Sequence, residues 1–292
     1  MRQRVSRREF VLGTACALVA ARTTRALRAD LSAQQIVDRI RANVGVPWKA
    51  SSSDGVKAGA VTTPVTGVAT TVMATIDVLR RAAAAGQNFV ITQEPVFYAL
   101  NDEAGNRATD PVYLAKKAFV DEHRLVVFRF ADHWSARQPN DAVKALAGAL
   151  GWSGKELAGA DQMYQVPETT LGALIADVRR RLGLRGGLRV VGQPTLTVRT
   201  VFVSPGTTTV PMTTAALRRA DVIVTGEPRE WEAVPYVLDT WAAHAPKGMI
   251  HIGRVVSEEP GMQACAKWIK SFTPEVPVEH IASADPYWSP AS

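Results

Sequence analysis

The chain alternates short apolar runs with amphipathic stretches, and the order in which they follow one another indicates its fold class. Ile36, Ile40 and Val44 recur at a spacing of four after Asp30 and predict a helix over residues 31–44. Residues 48–68 are rich in Ser, Gly, Thr and Val, which predicts a loop with a strand near 59–63. A helix is expected over 70–85, ended by Gly86. Phe89-Val90-Ile91-Thr92 and the stretch 125–130 are continuous apolar runs, the pattern of strands buried on both faces. Between them, 110–123 reads as a helix with Pro111 in its first turn, where proline is tolerated. A helix over 140–150 closes at Gly151.

The second half repeats the rhythm. Helices are expected at 169–182, 213–220, 230–245 and 260–272, and strands at 188–191, 198–203, 221–224 and 249–252. This alternation predicts an α/β fold with sheets covered on both faces. The expected division is a first lobe over 30–151, a linker over 152–168 and a second lobe over 169–292.

Composition changes the picture in one respect. The chain has 292 residues, a hydrophobic content of 47% and a net charge of +7. Residues 1–29 hold seven arginines and one acid, Glu9, so the leader accounts for all but one unit of that charge. The body is nearly neutral, which removes the electrostatic reason to expect a nucleic-acid partner. Ser6-Arg7-Arg8-Glu9-Phe10 is followed by a twelve-residue apolar run, 10–21, too short to span a bilayer. A basic start, a short apolar run and small residues near Ala26 or Ala29 predict a secretory signal of the twin-arginine type. The expected location is therefore periplasmic or secreted, with no membrane association once the signal is removed. Of the two cysteines, Cys16 lies in this leader and Cys265 stands alone beyond it. No disulfide can form within the body, so its stability must come from its core.

Ligands in open α/β sheets gather beyond the carboxyl ends of strands. Polar residues cluster at four such ends: Gln93-Glu94-Pro95, Asp132-His133-Trp134-Ser135, Thr225-Gly226-Glu227, and Arg254 with Ser257-Glu258. Carboxylates there are candidates to hold a divalent cation. Of the five histidines, only His133 and His251 fall near predicted strand ends. There is no nucleophile elbow and no phosphate loop, and Cys265 sits at a core spacing with Met262 and Ile269.

In order along the chain, Thr92-Gln93-Glu94-Pro95, Val203-Ser204-Pro205-Gly206, Val224-Thr225-Gly226-Glu227, Gly253-Arg254-Val255-Val256-Ser257-Glu258 and Asp285-Pro286-Tyr287 resemble the signatures of the Nif-three-like family, also known as GTP cyclohydrolase I type 2 homologues. The resemblance implies two linked α/β lobes with a dinuclear metal centre in the cleft between them. It also implies a ring-shaped homohexamer and an activity, unsettled in the family, of the metal-dependent hydrolase or cyclohydrolase type.

Carried over residue by residue, the expected ligand set is incomplete. Where the family has His followed by His or Glu, this chain has Gln93 and Glu94. Ungapped placement of the middle signature puts Ala131 and Ser135 at ligand positions, with Asp132 and His133 between them as substitutes. Where the last signature supplies His and Glu, this chain has Arg254 and Glu258. Arginine stays protonated and cannot ligate a cation. At about 4 Å from a divalent ion and an effective dielectric of about 20 it would be repelled by several kcal/mol. Arg254 is expected to pair instead with Glu94 or Glu258.

Two readings follow. In the first, the chain is an exported family member without a working metal site, whose cleft of Gln93, Glu94, Ser135, Arg254 and Glu258 binds a small polar or anionic ligand. In the second, one zinc, iron or manganese ion is retained by Glu94 and Glu258 with help from Gln93, Asp132 or His133, and supports hydrolysis. Trp134 and Trp231 are candidates to line the cleft.

Overall fold

The computed structural model describes residues 31–289. The predicted signal, residues 1–29 with Cys16, lies outside them. The described residues form two sheets, each sandwiched between helices.

The first sheet has five strands: β1 (Gly55–Ala58), β2 (Val68–Thr71), β3 (Phe89–Thr92), β4 (Val126–Arg129) and β11 (Val278–His280), in the order β1-β4-β3-β2-β11. All its pairings are parallel except β1 with β4. Alternation along the strands divides the side chains between the two faces. Phe89, Ile91, Val126 and Phe128 face α1 (Ala33–Asn43) and α9 (Arg254–Lys270). Ala69, Val90 and Val127 face α2 (Ile76–Ala84) and α3 (Pro111–Glu122).

The second sheet has six strands: β5 (Glu156–Leu157), β6 (Ala160–Thr170), β7 (Arg189–Val191), β8 (Thr197–Thr208), β9 (Val222–Pro228) and β10 (Gly248–His251), in the order β5-β6-β8-β9-β10-β7. Val201, Val203, Val222 and Val224 pack toward α5 (Asp141–Ala149) and α6 (Leu171–Leu182). Phe202, Ile223 and Met249 pack toward α7 (Val210–Leu217) and α8 (Glu230–Ala242).

The structure departs from the sequence pattern at six places. Val278–His280, expected to fall in the second lobe and not read as a strand, pairs with β2 at the edge of the first sheet. The stretch read as a helix over 70–85 begins as strand β2, because the run Thr70-Thr71-Val72 is β-branched and fully buried. Its helix starts only at Ile76, where the Thr75 hydroxyl caps the Val78 amide at 3.2 Å. The strand expected near 59–63 lies earlier, at Gly55–Ala58. Gly59 stops it at φ +83°, where an added Cβ would strike the Leu125 carbonyl. Residues 152–168, expected to link the lobes, contain β5 and most of β6. Met163, Tyr164 and Val166 bury into the second sheet between polar neighbours, too few apolar residues to register as a strand.

Five residues read as a loop, Asp132–Ala136, form a short helix, α4. The last helix begins at Arg254, six residues before its predicted start, and carries Pro260 inside it. Proline there forfeits one backbone hydrogen bond without ending the helix. This places Arg254, Ser257 and Glu258 on the first turns of α9, at the spacing that shares one helix face. Helix α9 then runs from the second sheet into the core of the first, where Met262, Cys265 and Ile269 are buried.

Candidate functional site

A cavity of about 580 Å³ opens between the sheets, walled by the carboxyl ends of β3, β4 and β8 and by α4, α5 and α9. Gln93, Asp132, Trp134, Ser135, Arg254 and Glu258 all line it. Four of the sequence-predicted positions therefore come together from two separate segments: Gln93 and Glu94 after β3, and Arg254 and Glu258 on α9.

Their geometry is that of an ion-pair cluster. Arg254 Nε donates to Glu94 Oε1 at 2.6 Å, and Arg254 Nη1 donates to the Thr207 hydroxyl. The same Nη1 lies 3.5 Å from Glu227 Oε2. Burial opposes the guanidinium charge, but Glu258 and Glu94 more than offset it and hold the Arg254 pKa above its usual value. Glu258 is 7% exposed. Burial first, and the nearby Glu94 charge second, push its carboxyl well above the usual carboxylate range, with Arg254 opposing them. Gln93 Nε2 donates to Glu258 Oε1 at 3.5 Å.

Backbone conformation fixes this arrangement. The Ser257 hydroxyl accepts from the Gly206 amide at 3.0 Å and donates to the Arg254 carbonyl at 2.7 Å. Gly206 has φ +69°, and a Cβ there would collide with the Glu258 carboxylate. Behind the turn, Thr208 donates to Ser204 at 2.9 Å and lies 2.5 Å from the Thr225 hydroxyl, all three buried.

His133 and Asp132, the proposed substitute ligands, are engaged elsewhere. His133 Nδ1 lies 2.6 Å from Asp54 Oδ2, and its Nε2 accepts from the Lys49 amide at 2.9 Å, so Nδ1 carries the proton. Its ring stacks on Trp48 at a centroid distance of 3.8 Å. Asp54 also accepts from the amides of Ala131 at 2.6 Å, Asp132 at 3.0 Å and His133 at 2.9 Å. Asp132 Oδ2 accepts from the Ser53 amide at 2.7 Å. Both ring nitrogens of His133 are thus committed to pinning the 48–54 loop against α4. His133 is a structural clamp and does not reach the cleft as a ligand. Nothing in the local sequence marks it so, because Asp54 lies 79 residues away.

His251 pairs with Arg189 at 2.8 Å at the far edge of the second sheet and does not line the cleft. Trp134 is 1% exposed and lines the cavity, whereas Trp231 is 76% exposed on α8 and does not. Sequence reasoning did not single out Arg129, Thr207 or Met212, which line the cavity from β4, β8 and α7.

The donor set does not fit a dinuclear metal centre. Among the described residues no three His, Cys, Asp or Glu side chains gather so as to hold an ion. Glu94 is held by a guanidinium, and His133 has no free nitrogen.

Comparison with known proteins agrees with the fold. The family profile of Duf34/NIF3 (NGG1p interacting factor 3) matches residues 33–286. The chain is similar to the crystal structure of the hypothetical protein SA1388 of Staphylococcus aureus, with a TM-score of 0.68 and 18% identity over 89% of this chain and 99% of that one. A Bacillus cereus protein related to NIF3 gives a TM-score of 0.68 and 16% identity over 89% and 99%. Reduced HcgD from Methanocaldococcus jannaschii gives 0.59 and 12% over 87% and 98%. At these identities the likeness shows the fold alone. No curated relative matches the chain.

Proposed function

On the premise that the chain belongs to the Duf34/NIF3 family, its profile matching residues 33–286, we propose that it is a ligand-binding member in which an arginine stands where the family places a metal ligand. The observation that carries this reading is the Arg254–Glu94 ion pair at 2.6 Å. A guanidinium seated on Glu94 supplies positive charge to the acidic end of the cleft, and a divalent ion at the same place would be repelled by it. The remaining cleft groups position a small polar molecule and offer no metal-activated water.

The reading also takes the protein to be exported by the twin-arginine route and to assemble as a homo-oligomeric ring. The leader sequence supports the first and family resemblance the second. Fractionation of a tagged full-length chain and light scattering of the purified protein measure them.

The test of the central reading is metal titration of purified protein with zinc and manganese. The wild type is expected to bind neither ion stoichiometrically. The double variant Arg254→His with Gln93→His is expected to gain at least about tenfold in affinity, or ~1.4 kcal/mol. Stoichiometric metal in the wild type, with Arg254 displaced, would overturn the reading.

A further inference from the structure

Helix α9 has a cavity on each side. Arg254, Glu258 and Met262, spaced by four, line the cleft. Val255, Glu259, Gln263 and Lys267, also spaced by four, line a second cavity of about 550 Å³. Helix α5 completes the partition, giving Val143 to the cleft and Ala145 and Ala149 to the second cavity. The two helices touch there, since a Cβ on Gly261 would meet the Ala142 Cβ at 3.0 Å. The end of α6, Arg185 and residues of the C-terminal segment bound the far side.

The Asp285-Pro286-Tyr287 motif, which the cleft leaves unused, builds that far side. Asp285 Oδ2 accepts from the Gly186 amide at 3.0 Å, and its Oδ1 accepts from the Tyr287 amide at 3.0 Å. The Ser289 amide donates to the Arg185 carbonyl at 3.1 Å, and the Ser289 hydroxyl donates to the Gly186 carbonyl at 3.0 Å. This approach requires glycine at 186, where a Cβ would lie 2.5 Å from that of Tyr287. The backbone at Arg185 is thereby fixed beside the cavity. The charges in the wall are unequally committed. Glu259 is hydrogen-bonded to the His280 ring and the Ser283 amide, Asp285 holds its two amides, and Arg181 is paired with Asp177. The side chains of Arg185, Lys267 and Gln263 are exposed and engage no other group among the described residues. The uncommitted charge lining this cavity is therefore cationic.

We propose that this second cavity binds a small phosphate monoester, its phosphate held by Arg185 and Lys267 and its apolar body lying against the alanines of α5 and α9. A guanidinium offers phosphate a two-pronged donor and an ammonium a point charge, and a dianion with three terminal oxygens engages both at once. Between the charges the wall is small and apolar, with Ala145, Ala149, Val255, Pro260 and Ala264. The volume lies within the range of small-molecule sites, roughly 300–1,000 Å³. The proposal goes beyond the reading of the cleft and stands apart from it, because no residue lines both cavities.

The test compares phenyl phosphate, benzoate and phenol on the purified full chain at constant ionic strength and about pH 8, where the phosphate is dianionic. Binding is followed by calorimetry and located by hydrogen exchange. Phenyl phosphate is expected to bind with a Kd on the order of millimolar, about tenfold tighter than the other two. It is expected to slow exchange over residues 183–187 and to leave residues 204–207, at the cleft, unchanged. The double variant Arg185→Gln with Lys267→Gln is expected to weaken it at least about tenfold, with an unaltered urea unfolding curve. Equal or tighter binding of benzoate or phenol, no binding of phenyl phosphate below about 10 mM, or undiminished binding in the folded double variant would each overturn the proposal. So would protection at 204–207 in place of 183–187, and this readout in the wild type decides even where the double variant fails to fold. Stoichiometric zinc in the wild type would sink the arginine-for-metal reading and leave this one standing.

Discussion

Two buried polar clusters flank the cleft, and they are built on opposite terms. Around Asp54, every strong group is answered. The carboxylate takes three backbone amides and the His133 ring, and the far side of that ring takes a fourth amide. Around Glu258, the carboxyl is buried against Glu94, Arg254 and Gln93, and Gln93 Oε1 is shut away with no partner among the described residues. A fully satisfied network fixes a loop, whereas a partly satisfied one buries polar groups at a cost in stability. The difference lies in what surrounds each carboxylate, one held in the 48–54 loop and the other on the second turn of α9.

The sharpest way to break the comparison is Asp54→Ala. It strands the amides of Ala131, Asp132 and His133 around a side chain that is fully buried. A loss of about 3–5 kcal/mol in urea unfolding is expected. A loss below about 1 kcal/mol would show that the clamp is dispensable.

Glu258→Gln should move stability the other way, by roughly 1–2 kcal/mol at neutral pH. The carboxyl pKa is raised in the folded protein, so folding holds a proton that the unfolded chain releases above its ordinary carboxylate range. Wild-type stability therefore falls as pH rises through that window, and the glutamine variant escapes the fall. The gap between variant and wild type should widen with pH in paired denaturation curves. A constant gap would contradict the burial argument.

The smallest effect is expected at an exposed pair. Glu275 is hydrogen-bonded by Arg39 at 2.8 Å, which holds its carboxyl down at about 2. A depressed carboxylate stabilises above its unfolded pKa, and the contribution is lost as pH falls toward 2. Solvent screening keeps the effect small, so Glu275→Gln should flatten the acid limb of the stability curve without changing its neutral plateau.

The parts of the fold that could be read from sequence were those with dense local patterns. The runs 89–92 and 126–129 announce buried strands because nearly every residue in them is apolar. Strand β6 escaped notice because only Met163, Tyr164 and Val166 mark its buried positions. At the site, the excess charge of Arg254 against nearby acids was visible in the motif, and the ion pair forms with Glu94. The role of His133 was not visible, since its partners Lys49 and Asp54 are set by tertiary packing. The start of α9 was hidden by Pro260, which reads as a helix boundary although the helix runs through it.

Helix α9 has a mechanical consequence. Its first turn carries Arg254 and Glu258 at the ends of the second sheet, and its later turns are rooted among the apolar residues of the first. Val255 packs in one core and Val256 against the other. The helix is therefore a rivet through both plates. The plates cannot swing apart as jaws without pulling it out, so the gap between them keeps a set width. The width of the cleft is thus set by the folding of the two cores and not by a hinge between them.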